Sequence, residues 1–144
     1  MKVTRIDHVG VLVGNLDDGP GGLPTWMTVL GLARGGRDFV QPQKTEAQFA
    51  HTAEGEHGAK IELIASRGNE ALDKFLEKAG GRASMHHLCF AVDDLAAALK
   101  ELDAAGVPLI DKVPRPGALG HLVGFLHPKA TGGVLVELIQ DGPH

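Results

Sequence analysis

The sequence predicts an α+β fold of two paired βαβββ modules, and two observations carry that prediction. One strand pattern occurs twice, since Ile6-Asp7-His8-Val9-Gly10-Val11-Leu12-Val13 returns as His86-His87-Leu88-Cys89-Phe90-Ala91-Val92. Each copy is then followed by a second strand-like run centred on a glutamate, Lys60-Ile61-Glu62-Leu63-Ile64 and Val134-Leu135-Val136-Glu137-Leu138-Ile139. The spacing nearly repeats too: His8 and Glu62 stand 54 residues apart, His87 and Glu137 50. A chain of 144 residues with 43% hydrophobic content suffices for one domain and one core.

Residues 5–13 are aliphatic and β-branched and stop at Gly14-Asn15, a strand closing in a turn. One face of this strand carries His8, Gly10 and Leu12; in the second copy the matching face carries His87, Cys89 and Ala91. The histidine thus shares its face with small residues in the second copy and with a glycine in the first, which leaves room for a ligand. Residues 16–31 hold two prolines and several glycines and allow only a short helix, expected at 24–30. Segments 33–41, 45–53 and 59–66 then read as strands. Residues 69–79 place Leu72, Phe75, Leu76 and Ala79 on one helical face before Gly80-Gly81. In the second half an acidic start at Asp93-Asp94, a stripe of Leu95, Leu99 and Leu102, and the stop Gly106-Val107-Pro108 mark a helix over 93–105. Strands are expected at 108–113, 119–127 and 132–140. The expected boundaries are therefore module 1 at about 1–66, a joining helix at about 69–80 and module 2 at about 84–141, within one domain spanning 1–144.

Composition narrows the function. The formal net charge is −4 and the basic residues are scattered, so no electrostatic footprint for nucleic acid exists. A single cysteine, Cys89, excludes an intramolecular disulfide and suits a reducing compartment. No segment reaches the roughly 18 apolar residues of a membrane helix, and Asp7 and His8 interrupt the first apolar stretch, so no signal-peptide core is read. The expectation is a cytoplasmic protein with no membrane or nucleic-acid partner.

A lone strand histidine is usually structural. A carboxylate inside Ile-Glu-Leu-Ile is more telling, because burying it among aliphatics is costly without a cation or donor. Two such glutamates and two such histidines in register across an internal repeat point to a divalent metal held by His8, Glu62, His87 and Glu137, if the halves pack about a pseudo-twofold axis. Of the other histidines, His86 lies on the opposite parity from His87 and is expected on the helix-facing side. His51, His57, His121 and His144 fall in expected loops or strand ends. His127, before Pro128-Lys129, fits a turn or a ligand-side role equally. Cys89 reads as a packed thiol.

These residues resemble the vicinal-oxygen-chelate (glyoxalase/bleomycin resistance) superfamily, and most of all its methylmalonyl-CoA epimerase branch. The resemblance is carried by Ile6-Asp7-His8-Val9, by Gly81-Arg82-Ala83 leading into Met85-His86-His87-Leu88, by Val92-Asp93-Asp94-Leu95, and by Phe125-Leu126-His127-Pro128-Lys129 followed by Gly132-Gly133-Val134-Leu135-Val136-Glu137-Leu138. It implies a glyoxalase-like fold with an open, cupped β-sheet around a metal site, with His8, Glu62, His87 and Glu137 on the four ligand positions. It implies proton transfer at the α-carbon of methylmalonyl-CoA through a metal-stabilised enolate, with cobalt, zinc, nickel or manganese as the ion. Glu137 is the implied acid–base group for one face of that carbon. For the other face the strand at 45–53 offers Glu46 and Gln48, of which only Glu46 can accept a proton. A homodimer is implied, and Lys112, Arg115 and Lys129 are candidates to meet the CoA phosphates.

Two departures from the branch lie in the first half. About three extra residues with Gly and Pro intervene before the first helix, where only Trp26 remains of an aromatic pair, and the loop over 51–59 is long. A glyoxalase I-like lactoylglutathione lyase or another metalloenzyme of the superfamily is an alternative reading. An extradiol dioxygenase fits less well, because a fourth protein ligand obstructs its open iron positions. The alternative from a different class is a metal-free small-molecule (drug) binding protein.

Overall fold

In the computed structural model, residues 1–142 are described; His144 lies outside them. They group into two compact units, residues 9–86 and residues 1–8 with 87 onward. The first strand, β1 (Val3–Leu12), contributes its start to one unit and its end to the other.

In the unit of residues 9–86 the strand order is β2-β3-β4-β1, with β2 at Ala33–Val40, β3 at Thr45–His51 and β4 at Lys60–Ser66. Their boundaries fall within two residues of those expected. The antiparallel β3–β4 ladder runs unbroken from Thr45 opposite Ser66 to His51 opposite Lys60, whereas β2–β3 shifts register between Arg34 and Arg37, at Gly35-Gly36. Val11, Val13, Leu16, Leu23, Leu63 and Ala65 form the buried core, with Trp26 and Met27 packed on it; each buried Val or Leu contributes about 1.5–3 kcal/mol by leaving water. The expected short helix is a single wide turn, Thr25–Val29, closed by the Leu30 N–H on the Thr25 carbonyl at 3.3 Å. The Trp26 indole N–H donates to the Gly21 carbonyl at 2.7 Å. Gly21 has φ +76°, and a Cβ there would lie 2.5 Å from the Ala83 Cβ, so only glycine fits. The joining helix, α1 (Glu70–Lys78), starts where the Asn69 side chain accepts from the Leu72 N–H at 3.0 Å and stops at Gly80-Gly81 in left-handed conformation.

In the unit of residues 1–8 and 87 onward the order is β1-β5-β8-β7-β6. Here β5 is Ser84–Val92, β6 Arg115–Pro116, β7 Leu122–Phe125 and β8 Val136–Gln140. Strands β5 and β8 run parallel with Cys89 opposite Glu137, and β7 and β8 antiparallel with Phe125 opposite Glu137. The helix α2 (Leu95–Ala104) is capped by the Asp94 side chain on the Ala97 N–H and buries Leu95, Ala98 and Leu99 against Val92, Leu126, Val136 and Leu138.

Three expected strands of this half change. Residues 108–113 form only an isolated bridge, Leu109 opposite Leu126. Pro108 and Pro114 interrupt donors at both ends, the N–H groups of Ile110 and Asp111 both turn to the Phe125 carbonyl, and the Asp111 carboxylate takes the Phe125 N–H. The edge strand is instead β6, opposite Leu122 and Val123. Residues 119–121 are a turn in which Leu119 and Gly120 have positive φ, and Gly132 and Gly133 do the same before β8, so β7 and β8 start later than the apolar pattern suggests. Among the described residues no helix is long and apolar enough to cross a membrane.

Candidate metal centre

Alternation along β1, β5 and β8 brings three of the four expected ligands together in the unit of residues 1–8 and 87 onward. His8, His87 and Glu137 are all buried. Nε2 of His8 lies 3.1 Å from Nε2 of His87 and 3.1 Å from Oε1 of Glu137, and Nε2 of His87 lies 3.3 Å from the same oxygen. The two imidazoles meet edge to face, and Phe125 closes on His87 in the same manner at 5.9 Å between ring centroids. The ladder explains the convergence: Cys89 and Phe125 both oppose Glu137, so His87, two residues before Cys89, shares their face.

Chemistry of the donor set decides what it fits. The carboxylate of Asp7 lies 2.7 Å from Nδ1 of His8 and accepts its proton, which turns Nε2 of His8 toward His87 and Glu137. Oε1 of Glu137, facing Nε2 of both imidazoles, is buried and receives no well-formed hydrogen bond. Two imidazole nitrogens and a carboxylate oxygen thus converge in a buried space, a donor set that suits a cation. Bonds of about 2.0–2.1 Å to N and O ligands require ligand atoms about 3.3–3.5 Å apart in a tetrahedral site, close to the separations observed. The residues fit a divalent metal. Burial by itself raises the Glu137 carboxyl, but the imidazoles of His8 and His87 beside it outweigh that and hold it below the ordinary carboxylate value. It is therefore a ready anionic ligand.

Sequence reasoning assigned no role to Asp7 or Arg5. Asp7 is buried, and its second oxygen takes the Arg5 guanidinium at 2.9 Å, while Arg5 also pairs with Asp141. The available signal was a charged residue inside an apolar strand next to a candidate ligand. Cys89 is fully buried beside Asp7 and His8, and its thiol is pushed well up chiefly by burial, as expected of a packed side chain.

The fourth expected ligand, Glu62, belongs to the unit of residues 9–86, where it is buried on β4 opposite Phe49. The same ladder places the two residues expected to supply the second acid–base group. Residues directly opposite share a face, so Glu62 goes with Ala47, Phe49 and His51, while Glu46, opposite Ala65, and Gln48, opposite Leu63, project to the other face. Glu46 is clamped by Arg37 and Arg67, and hydrogen bonding to Arg37 is the main cause of its lowered pKa. The Gln48 amide N–H group donates to the carbonyls of Gly35, Gly36 and Phe49. Both side chains hold the β2 edge together.

The remaining histidines divide by location. His51 is buried rather than surface-exposed, because Gly35 in the β2 irregularity leaves the space its ring fills. His57 is exposed and His121 half-buried. His86 packs edge to face on Phe75 of α1, at 5.4 Å, on the helix side as expected. His127 caps the turn Pro128–Thr131 by accepting the Lys129 N–H, a turn role. Arg115 pairs with Asp111 at 3.0 Å and lies over the Phe125 ring, Lys112 is 3.5 Å from Asp103, and Lys129 is exposed.

Residues 7–125 match the Glyoxalase/Bleomycin resistance protein/Dioxygenase superfamily. The chain is 35% identical over 140 residues to the mitochondrial methylmalonyl-CoA epimerase of Dictyostelium discoideum, covering 94% of this chain and 78% of that one. It belongs to the methylmalonyl-CoA epimerase family. Membership makes the protein an epimerase-type isomerase with the glyoxalase-like fold. The crystal structure of methylmalonyl-CoA epimerase from Mycobacterium tuberculosis matches it with a TM-score of 0.87 at 30% identity, over 98% of this chain and 90% of that one. A methylmalonyl-CoA epimerase in complex with methylmalonyl-CoA and NH4+ matches with a TM-score of 0.84 at 27% identity, over 96% and 95% of the two chains.

Proposed function

We propose that this epimerase acts on methylmalonyl-CoA and depends on a divalent metal held by His8, Glu62, His87 and Glu137. The observation that carries the metal dependence is the buried convergence of His8 Nε2, His87 Nε2 and Glu137 Oε1 within 3.1–3.3 Å of one another. Glu62 joins the set by the position of its strand run in the family pattern. The donor set of imidazoles and carboxylates takes cobalt, zinc, nickel or manganese. When bound, such an ion supplies Lewis acidity that draws negative charge from the carbonyl oxygens of the acyl-CoA as its α-proton leaves.

The chain's own residues do the rest. Glu137 stays ionised at neutral pH, since the nearby imidazoles outweigh its burial, and its carboxylate is assigned to take or deliver the α-proton on one face, inversion being completed by a second acid–base group that delivers or takes it on the opposite face. His8 and His87 orient that carboxylate from two sides, and Phe125 and the buried Cys89 keep water from their strand face. The same reading makes the protein a cytoplasmic homodimer with the acyl-CoA as its small-molecule partner.

The test is deuterium uptake at the α-carbon of methylmalonyl-CoA in D2O, read by mass spectrometry with metal-reconstituted protein, chelated protein and Glu137→Ala. Uptake that requires both the metal and Glu137 is expected. Stoichiometric metal without uptake refutes the substrate, and isomerisation of a glutathione hemithioacetal by the same preparation identifies the lyase alternative.

A further inference from the structure

We infer that Asp7 is a positioning residue for the metal ligand His8, held in turn by Arg5, and that this relay sets metal affinity. The inference rests on the metal-dependent reading above and goes beyond its ligand set. Asp7 and His8 are adjacent on β1, yet both are buried, and their side chains meet through Oδ2 and Nδ1 at 2.7 Å. The other Asp7 oxygen accepts from the Arg5 guanidinium at 2.9 Å. Arg5 is anchored beyond that by Asp141, which also accepts from the Thr4 hydroxyl at 2.6 Å. The chain of contacts therefore runs from the end of β8 through Arg5 and Asp7 to the imidazole, and each link faces a charged or hydrogen-bonding partner.

Two consequences follow for His8. A proton shared between Nδ1 and Asp7 fixes the tautomer in which Nε2 carries no proton, the form a metal ligand needs. The bond also stops rotation of the ring, so that Nε2 stays 3.1 Å from both His87 Nε2 and Glu137 Oε1. A carboxylate behind a metal-bound imidazole raises its basicity as well, and losing such a partner typically lowers metal affinity about 10–100-fold. A purely structural role for Asp7 predicts a change in stability with no change in affinity or ligand-field spectrum.

The experiment uses Co2+ on the full chain, with affinity from competition with a chromophoric chelator and geometry from the visible absorption of the bound ion. Asp7→Ala is expected to weaken Co2+ binding by one to two orders of magnitude and to alter the absorption bands. Asp7→Asn, which keeps an acceptor for the Nδ1 proton, is expected to recover part of the affinity. In parallel, nitrogen-15 NMR of the metal-free wild-type protein reads the His8 tautomer and does not depend on any variant folding. A proton on Nδ1 is expected, and one on Nε2 alone overturns the proposal. Wild-type affinity and an unchanged spectrum in a folded Asp7→Ala protein overturn it too. A wild-type protein that takes up no Co2+ instead sinks the metal-dependent reading itself, which separates the two failures.

Discussion

Replacing Glu137 by Gln isolates the anionic ligand at nearly constant shape. In the metal-free protein Glu137 Oε1 faces His8 Nε2 at 3.1 Å and His87 Nε2 at 3.3 Å without a well-formed hydrogen bond. A glutamine amide can hydrogen-bond the facing imidazoles, so the metal-free variant is expected to stay within about 1 kcal/mol of the wild type, the net worth of one hydrogen bond. With the ion the balance reverses. A ligand at a hundred times its Kd stabilises the folded state by about 2.7 kcal/mol. At roughly 2–4 °C per kcal/mol for a domain of this size, that raises Tm by about 5–11 °C. The three donors already stand 3.1–3.3 Å apart, so little of this gain is lost in ordering the site. Removing the carboxylate ligand is expected to cost at least the roughly hundredfold in affinity that a supporting partner can cost. At the same ion concentration the variant then gains only about 0.4 kcal/mol, or about 1 °C. Thermal unfolding with Zn2+ or Co2+, each against a chelated control, measures both numbers. An equal metal-induced rise in wild type and Glu137→Gln, or none in wild type, refutes the reasoning.

Two further perturbations test the scaffold of residues 9–86. Gly21→Ala forces a side chain into positive φ and to 2.5 Å from Ala83 Cβ, with an expected loss of about 2–4 kcal/mol in urea unfolding; a loss below 1 kcal/mol shows that this turn is not closed as described. Glu46, hydrogen-bonded to Arg37 and paired with Arg67, is held below the ordinary glutamate pKa in the folded state. Its contribution is therefore complete above about pH 4.5, where the unfolded group is also ionised, and fades as acid protonates it through the lower folded value. Because the pair is partly solvated the effect is modest. The stability gap between wild type and Glu46→Gln is expected to be constant near neutrality and to shrink as the pH falls below the ordinary glutamate range, and a gap that widens in acid contradicts the pairing.

Particular residues show why part of this protein is legible in its sequence. His8, His87 and Glu137 are readable because alternation along a strand is a local property, and the repeated pattern marks the same face twice. The joining helix is readable for the same kind of reason: Asn69, the apolar stripe and Gly80-Gly81 are local signals for a start, a face and a stop. Pairing between strands is not local. Glu46 and Gln48 share a parity on β3, but whether that parity faces Glu62 depends on the register with β4 across residues 52–59, and a one-residue slip reverses the answer.

His51 reads as a strand end open to solvent until the irregularity at Gly35-Gly36 makes a space for its ring. Residues 108–113 carry a strand-like composition, yet their donors are spent on a single carbonyl, Phe125, because the flanking prolines and Asp111 offer a better closure. The sequence by itself determined both helices, most of the strands and the convergence of His8, His87 and Glu137, since these follow from periodicity and from local caps. Only the tertiary structure decided which face of β3 each side chain occupies and how Arg5 and Asp7 stand behind His8, because those depend on strand register and on side-chain contacts between residues as distant as Arg5 and Asp141.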